Sequence, residues 1–252
     1  MSREAPPAGS ARGDAAPDGP DAPGRAPGPG RRAGPDQRVA PLLAAPGQVV
    51  GLVLAAGRSQ RMGRPKQLAQ LGGRPLLEHA LRSLSASGVD EVVVALGAHA
   101  GLVERGVRLQ GAVPLRAGRW REGMGAVLAE ASAALAGCGA LVVALGDQPM
   151  VGPAVVERLV AAWRAGAGPV VRATYSGRPG HPVLFDGTLL PELAALGGDV
   201  GARGLLARRP GDVHLVEVGG LGDDLDVDDE AGLEAARRLL AGRTEGADAG
   251  PR

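Results

Sequence analysis

The sequence contains a single cysteine among its 252 residues, and this scarcity excludes two classes of protein. Cys138 has no second cysteine with which to form a disulfide within the chain, so a disulfide-stabilised scaffold is excluded. A zinc site built on several cysteines is excluded for the same reason. The lack of disulfides suits a reducing compartment, and we expect the protein to be cytoplasmic.

Aromatic side chains, net charge and long apolar runs are also scarce. Two Trp, one Tyr and one Phe are too few for the stacking platforms of proteins that bind single-stranded nucleic acid. The formal net charge of +1 provides no general field that would hold nucleic acid or an anionic membrane. No window approaches the ~18 consecutive apolar residues of a membrane-spanning helix. We therefore expect neither nucleic acid nor a membrane among the partners of this chain.

Glycine and proline are abundant, with 42 and 21 residues, and their distribution divides the chain. Residues 1–47 contain ten Pro and eight Gly without a periodic apolar pattern. Such a segment buries too little apolar surface to offset the entropy of ordering it, so we predict a disordered tail. Residues 48–243 form the predicted folded domain, and residues 244–252 form a predicted loose C-terminal tail.

From residue 48 onward, short apolar runs alternate with longer amphipathic stretches. This alternation predicts a single α/β domain with a doubly wound, mostly parallel sheet. In such sheets, ligands bind beyond the carboxyl ends of the strands. Strands are predicted at residues 49–55, 91–96, 140–145, 169–173 and 213–218, with a sixth candidate at 181–185, and helices at 75–87, 123–136, 153–164, 189–196 and 230–241.

The turn after the first predicted strand, within residues 54–66, combines small residues with cations. Ala55, Ala56 and Gly57 allow backbone N–H groups to approach a phosphate or a base closely. An arginine can bind phosphate oxygens as a fork, whereas a lysine supplies a mobile point charge. The turn matches neither the P-loop pattern nor the dinucleotide-binding GxGxxG pattern, and a solvated basic loop is the alternative. The cations are Arg58, Arg61, Arg64 and Lys66.

Acidic side chains follow two other predicted elements. Asp147 comes directly after an apolar strand and precedes the helix at Pro153 by too many residues to cap it. Mg²⁺ in nucleotide sites typically takes one or two carboxylates plus substrate phosphates, so Asp147 is a candidate metal ligand. Asp226 and Asp228 would point the same way in an extended segment and could complete the site. Alternatively, Asp228 only favours the dipole of the helix that follows.

Two further segments contain polar residues at positions where a ligand could bind. His181 stands at the start of a predicted strand after a turn-rich run, although a lone histidine is more often structural than catalytic. Asp199 could lie near the N-cap of a helix, and Arg203 could reach an anion. The sequence has no GxSxG, HExxH or CxxC motif, so serine hydrolase, zincin and thioredoxin-like functions have no local support.

Taken together, these motifs resemble the MobA-like nucleotidyltransferases, and within them most closely the molybdenum cofactor cytidylyltransferases. The resemblance covers residues 49–241, with LAAGxSxRMGxxK, GDQP, GHPVLF and GDxGAR in that order. It implies a Rossmann-like fold of the nucleotide-diphospho-sugar transferase type. It also implies that the terminal phosphate of molybdopterin attacks the α-phosphate of CTP and releases pyrophosphate, with an apo molybdenum hydroxylase as a further partner.

The resemblance also implies roles for individual residues. Arg61, Lys66 and Asp147 would be catalytic, and Asp147 with Asp226 or Asp228 would hold Mg²⁺, or Mn²⁺ in its place. Because the guanylyl-transferring branch tends to have LAGG, the Ala-Ala-Gly turn favours CTP over GTP. The nucleotide would contact Leu54, Ala55, Ala56, Gly57, Arg58, Arg61, Lys66 and Gly146, and the acceptor would contact Gly180, His181, Asp199 and Arg203.

The chain departs from the family pattern around the third predicted helix. Ala117 replaces an expected Asn, and Gly125 and Ala126 replace hydroxyl residues at the helix start. This loss removes side-chain donors, whereas we expect the backbone N–H groups of the helix start to stay available. Asp229-Glu230 replaces an expected Thr-Pro. The alternatives are another phosphorylated acceptor, GTP as donor, or a cofactor carrier with weak catalysis, for which Arg61, Lys66 and Asp147 together would be unnecessary.

Overall fold

The computed structural model describes the backbone of residues 45–248 and the side chains of residues 45–242. The predicted N-terminal tail therefore lies, apart from its last residues, outside the described residues. The strands are β1 Val49–Ala55, β2 Gln70–Leu71, β3 Arg74–Pro75, β4 Glu91–Leu96, β5 Val113–Arg116, β6 Ala140–Leu145, β7 Val170–Tyr175, β8 Arg178–Asp186 and β9 Val213–Glu217. The helices are α1 Leu76–Ser85, α2 Ala100–Gly106, α3 Met124–Ala134, α4 Pro153–Arg164, α5 Leu190–Ala194, α6 Arg203–Arg208 and α7 Glu230–Asp248.

Seven strands form one sheet in the order β5-β4-β1-β6-β8-β7-β9. β1 lies at the centre of its parallel part, where Leu52 pairs with Val93 on one side and with Val143 on the other. β8 is antiparallel to both of its neighbours, β6 and β7, and β2 and β3 form a separate two-stranded sheet. The predicted doubly wound, mostly parallel α/β fold is confirmed.

Helices cover both faces of the large sheet because its strands are apolar on both sides. Every residue of β1 is buried, a pattern typical of the centre of a parallel sheet. One face packs against α1, α2 and α4, where Leu77, Leu81 and Leu84 project from α1 at helical spacing. The opposite face packs against α3, α5 and α6, to which Leu128 of α3 and Leu205 of α6 contribute.

The predicted elements differ from the structure mainly where they are short. β1, β4 and β6 coincide with the predicted ranges, but β5 and α2 have no predicted counterpart. α6 begins at Arg203 and not near Asp199, where the sequence suggested a helix start. β5 contains Pro114, which is compatible with a strand here because β5 lies at the edge of the sheet. α7 continues to Asp248, so part of the predicted loose C-terminus is helical. Within the described residues, no helix has the length and apolarity needed to cross a membrane.

The carboxyl ends of β1, β4 and β6 meet at one edge of the sheet. The N–H of Gly146, after β6, donates to the carbonyl of Leu54 in β1 at 3.0 Å. The N–H of Ala98, after β4, donates to the carbonyl of Ala56 at 3.3 Å. A Cβ on Gly146 would lie 3.1 Å from Ala55 Cβ and 3.3 Å from the carbonyl oxygen of Leu54, so the absence of a side chain favours this close approach. The turn after β1 is therefore fixed between the loops that follow its two neighbours.

Candidate active site

A cavity of about 630 Å³ opens at this edge of the sheet. Its walls are the turn after β1, the loop after β6 and the start of α3. Four of the predicted site residues, namely Asp226, Gly180, His181 and Arg203, are not part of its lining. The predicted residues that line it are Leu54, Ala55, Ala56, Gly57, Arg58, Arg61, Lys66, Gly146, Asp147, Asp199 and Asp228.

Two polar residues hold the turn after β1 in shape. Ser59 adopts a left-handed backbone conformation, with φ of 56°, and its Oγ accepts the N–H of Lys66 at 2.9 Å. Gln67 is 3% exposed, and its Nε2 donates to the carbonyls of Ala55 at 2.8 Å and Gly57 at 3.3 Å. These bonds fix the small-residue turn against the segment that contains Lys66. The prediction from sequence missed Ser59 and Gln67, because a positioning role depends on contacts that spacing does not show.

Lys66 is the only lysine in the chain, and its ammonium group contacts two carboxylates. The Nζ atom lies 2.6 Å from Asp147 Oδ2 and 2.7 Å from Asp228 Oδ1. Burial alone would lower the pKa of Lys66, but the charges and hydrogen bonds of the two carboxylates outweigh it, and the pKa is raised. The hydrogen bond from Lys66 lowers the pKa of Asp228. Lys66 and Asp228 are therefore both charged at neutral pH.

Asp228 and Asp229, which precede α7, have different roles. Asp229 Oδ1 accepts the N–H of Gly232 at 2.8 Å and so stabilises the first turn of α7. Asp228 is directed toward the cavity instead, where Arg61 also contacts its Oδ2 at 2.9 Å. The sequence allowed Asp228 either to hold a metal or to favour the dipole of the following helix. In the structure, Asp229 has the role at the helix start.

Asp226 lies behind the two carboxylates that contact Lys66. Its Oδ1 accepts a hydrogen bond from Gln148 Nε2 at 3.0 Å, and Gln148 is 4% exposed. Burial raises the pKa of Asp226, and the nearby charges of Asp147 and Asp228 raise it further. The three predicted metal ligands are therefore neighbours, but only two of them line the cavity.

The donor set fits a divalent cation of the Mg²⁺ or Mn²⁺ type. Asp147 and Asp228 offer carboxylate oxygens, which these ions prefer, and the ammonium of Lys66 already lies between them. In the part of the chain with described side chains, no three His, Cys, Asp or Glu residues are arranged to hold a metal ion. A metal here would therefore need substrate phosphates or water to complete its coordination.

The start of α3 differs from the expectation that its backbone donors stay available. The N–H of Met124 donates to Asp199 Oδ1 at 3.2 Å, and the N–H of Ala126 donates to the carbonyl of Gly198 at 3.2 Å. A Cβ on Gly125 would lie 2.7 Å from the carbonyl oxygen of Gly197, so the small residue admits this loop. Asp199 therefore caps α3. Its sequence position had indicated the helix that follows it, α6, but α6 begins only at Arg203.

Trp120 forms one rim of the cavity between two cations. The guanidinium carbons of Arg58 and Arg121 lie 5.1 and 4.3 Å from the centre of its ring, within the range of cation–π attraction. A Cβ on Gly97 would lie 2.7 Å from Trp120 Cβ, so the loop after β4 also needs its glycine. The rim thus combines an aromatic face with positive charge beside the predicted nucleotide turn.

His181 is partly buried beside Asp147 but outside the cavity lining. Its pKa is lowered to about 4, chiefly by burial and next by the positive charge of Arg172; Arg203 acts in the same direction and Asp147 in the opposite one. The imidazole is therefore neutral at neutral pH and adds no positive charge to the site. Its backbone carbonyl accepts a hydrogen bond from the hydroxyl of Tyr175 at 2.8 Å, which fixes the start of β8.

The sequence around this cavity matches a known protein family. The MobA-like NTP transferase domain matches residues 51–213, a range that includes the turn after β1, Lys66 and Asp147. The chain belongs to the MobA-like NTP transferase family. The predicted family and the predicted enzyme class are confirmed, and the protein is a nucleotidyltransferase.

One curated protein and several solved structures resemble this chain over most of its described length. Nicotine blue oxidoreductase of Paenarthrobacter nicotinovorans is 35% identical over 203 residues, which cover 76% of this chain and 96% of that protein. The crystal structure of Rv0371c from Mycobacterium tuberculosis H37Rv is 31% identical, with a TM-score of 0.68, and covers 77% of this chain and 99% of that one. A manganese complex of Rv0371c is 30% identical, with a TM-score of 0.65, and covers 77% of this chain and 100% of that one.

Proposed function

We propose that this protein transfers CMP from CTP to the phosphate of a molybdopterin-type acceptor and releases pyrophosphate, in a reaction that requires Mg²⁺. The observation that supports this most directly is the ammonium of Lys66, held at 2.6 and 2.7 Å between two carboxylates. The small-residue turn that would face the nucleotide forms the adjoining wall of the cavity. A cation fixed beside that turn suits a reaction in which charge builds up on phosphate oxygens.

The proposed reaction is an in-line displacement at phosphorus. An oxygen of the acceptor phosphate forms a bond to the α-phosphorus of CTP, and the bond from that phosphorus to the bridging oxygen of the β-phosphate breaks. The electron pair leaves with pyrophosphate, so no covalent enzyme intermediate is needed. Positioning and charge stabilisation then provide most of the acceleration.

The residues of the chain would act on the triphosphate from two sides. The backbone of Ala55, Ala56 and Gly57 would approach the nucleotide, while Arg61 and Lys66 would stabilise the charge that develops on the leaving pyrophosphate. Asp147 and Asp228 would hold Mg²⁺, with Asp226 behind them. The metal would supply further neutralisation of phosphate charge, and the manganese complex of the related Rv0371c supports a divalent ion of this kind.

The preference for CTP and the position of the acceptor complete the proposal. The Ala-Ala-Gly turn supports CTP over GTP, and Gly180, His181, Asp199 and Arg203 are the proposed acceptor side. The finished cofactor would pass to an apo molybdenum hydroxylase. GTP, or a different phosphorylated acceptor, would use the same charged groups in the same chemistry.

One observation favours a second candidate function. Nicotine blue oxidoreductase, of which 96% is matched by this chain, is named for a redox activity, so a redox role is the alternative, and NADPH serves as a general hydride donor to probe it. Hydride transfer needs no ammonium between two carboxylates. We therefore favour nucleotidyl transfer, and the two functions predict different ligands for the same cavity.

Ligand-dependent thermal stability separates these functions. Unfolding is followed with CTP, GTP, ATP, UTP or NADPH, each with and without Mg²⁺, for the wild type, Asp147→Asn and a control, Asp212→Asn. Asp212 pairs with Arg209 away from the cavity. A ligand at 100 times its Kd stabilises by about 2.7 kcal/mol, which raises Tm by a few degrees.

The proposal expects a Mg²⁺-dependent shift that is largest for CTP, disappears in Asp147→Asn and persists in Asp212→Asn. A larger shift with GTP would contradict the CTP assignment. A shift with NADPH alone that survives Asp147→Asn would support the redox function. Release of pyrophosphate from CTP on addition of molybdopterin then tests the acceptor directly.

A further inference from the structure

Two arginines and one histidine lie on the sheet face that packs against α3, α5 and α6. By strand alternation, Arg172 in β7 shares this face with Val170, whose side chain packs there. His181 in β8 shares it with Val183 for the same reason. α6 packs on this face through Leu205 and begins at Arg203. The fold therefore brings the two arginines and the histidine together near the carboxyl end of β6.

The two arginines in this group have no carboxylate partner among the described residues. The Nε atom of Arg172 donates to the carbonyl of Gly180 at 3.1 Å, and its terminal nitrogen donates to the carbonyl of Pro179 at 3.3 Å. Arg203 forms no ion pair within the part of the chain that the structure describes. By contrast, Arg178 on the same hairpin pairs with Asp224 at 3.4 Å. The backbone contacts orient Arg172 but leave its charge uncompensated.

The two arginines place positive charge on this face that no ion pair among the described residues balances. Burial lowers the pKa of Arg172, and the neighbouring charge of Arg203 lowers it further. A guanidinium nevertheless stays protonated in proteins, so the positive charges of the partly buried Arg172 and the exposed Arg203 repel each other. An anion between them would relieve this repulsion and accept several hydrogen bonds from the two planar groups. His181, which is neutral, would add a hydrogen bond without changing the charge balance.

We propose that Arg172 and Arg203 together bind the phosphate of the acceptor and hold it beside Asp147 for attack on the nucleotide. The proposal rests on the function proposed above only for the identity of the anion. Arg203 and His181 are expected on the acceptor side from the family resemblance, whereas Arg172 has no such assignment and is the added residue. Two guanidinium groups suit a dianionic phosphate monoester better than a carboxylate or a hydroxyl group. The acceptor is thereby restricted to phosphorylated molecules.

Binding of inorganic phosphate tests this site without any nucleotide. A titration is followed through the ³¹P NMR signal of phosphate for the wild type, Arg172→Gln, Arg203→Gln and Lys66→Met. Arg208→Gln is the matched control, because Arg208 stands at the other end of α6 and is exposed. Loss of one charged hydrogen-bonding partner should weaken phosphate binding about tenfold or more. We expect that loss in Arg172→Gln and Arg203→Gln, and unchanged binding in Arg208→Gln and Lys66→Met.

The outcomes distinguish this inference from the proposed function. Phosphate binding that is lost in Lys66→Met but kept in both arginine variants would place the anion in the triphosphate site and overturn the inference, with nucleotidyl transfer unaffected. Equal weak binding by all variants would indicate nonspecific association and would also overturn it. A phosphate site that depends on both arginines, in a protein that binds no nucleotide, would refute only the proposed function. Because Arg172 bonds to two carbonyl groups and its variant could unfold, Arg203→Gln decides the question if Arg172→Gln does not fold.

Discussion

Replacement of Lys66 by methionine should affect both catalysis and stability, and the two effects can be separated. Methionine keeps most of the side-chain length but removes the ammonium that lies between Asp147 and Asp228. Loss of a preorganised charge of this kind costs about 2–4 kcal/mol of transition-state stabilisation, which corresponds to a fall of about 30- to 900-fold in kcat. Loss of two hydrogen bonds between charged groups should also lower the free energy of unfolding by about 1–3 kcal/mol. The exposed fraction of the Asp228 side chain, 35%, favours the lower end of that range.

The stability effect should depend on pH in a direction that the pKa shifts determine. The pKa of Asp228 is lowered in the folded state, so its contribution is present above its ordinary value of 3.8 and disappears as the pH falls. The pKa of Lys66 is raised, so its contribution is present below its ordinary value of 10.5 and disappears as the pH rises through the folded value. The difference in Tm between wild type and Lys66→Met should therefore be largest between about pH 5 and 9 and should shrink at both extremes.

Thermal unfolding across this pH range, together with pyrophosphate release at pH 7, measures both effects. Lys66 is the only lysine, so reductive ¹³C-methylation followed by NMR reports its titration with no other lysine signal. The reasoning is refuted if Lys66→Met keeps the wild-type rate, or if its Tm deficit at pH 7 is absent or persists unchanged at pH 3. Lys66→Arg is the informative companion, because it keeps the charge but replaces the compact ammonium with a planar fork.

Two further predictions concern the residues that support the site. Gln67→Leu should lower the free energy of unfolding by about 1–3 kcal/mol, since the carbonyl of Ala55 loses a buried hydrogen-bond donor, and it should weaken CTP binding. Chemical denaturation measures the effect on stability. The control Gln70→Leu, at an exposed position, should show neither effect. Glu217→Gln should lower Tm at pH 7, because N–H groups of Gly177 and Ser176 bond to this carboxylate and lower its pKa to about 2. That contribution is present above the ordinary pKa of a glutamate and disappears as the pH falls toward 2, so wild type and variant should converge in acid-titrated melting curves. Equal Tm values at pH 7 would contradict the assignment.

The sequence is sufficient to predict the sheet because its central strands are unambiguous. β1, β4 and β6 are continuous apolar runs bounded by polar or glycine-rich turns, so both their existence and their ends follow from hydrophobicity alone. β5 and α2 escape prediction, and the start of α6 is misplaced, because each of these elements is short. Their stability derives from tertiary packing, as with Leu115 of β5, Val103 of α2 and Leu205 of α6 in the core, and a local sequence pattern does not show such contacts.

The residues of the site are predictable where they follow the end of a strand or precede the start of a helix. Lys66, Asp147 and Asp228 are identifiable in this way, since the carboxyl ends of β1 and β6 and the start of α7 supply them. Asp199 is different, because its role depends on how closely a distant loop approaches α3. That approach is possible only because Gly125 has no Cβ, and a glycine in a sequence does not indicate which loop it admits.

The use of lysine at one position only also has a physical reason in this structure. Apart from Lys66, every permanently cationic side chain in this protein is an arginine. The planar guanidinium of arginine suits ion pairs at the surface and phosphate oxygens in a binding site. A guanidinium spreads its charge over a plane, whereas the position between Asp147 and Asp228 is occupied by a single nitrogen within 2.7 Å of both carboxylates. A compact, strongly hydrated point charge satisfies both acids at once and can turn toward a phosphate without rearranging a fork. The position that requires a small movable charge is thus the one at which arginine, abundant elsewhere, is not used.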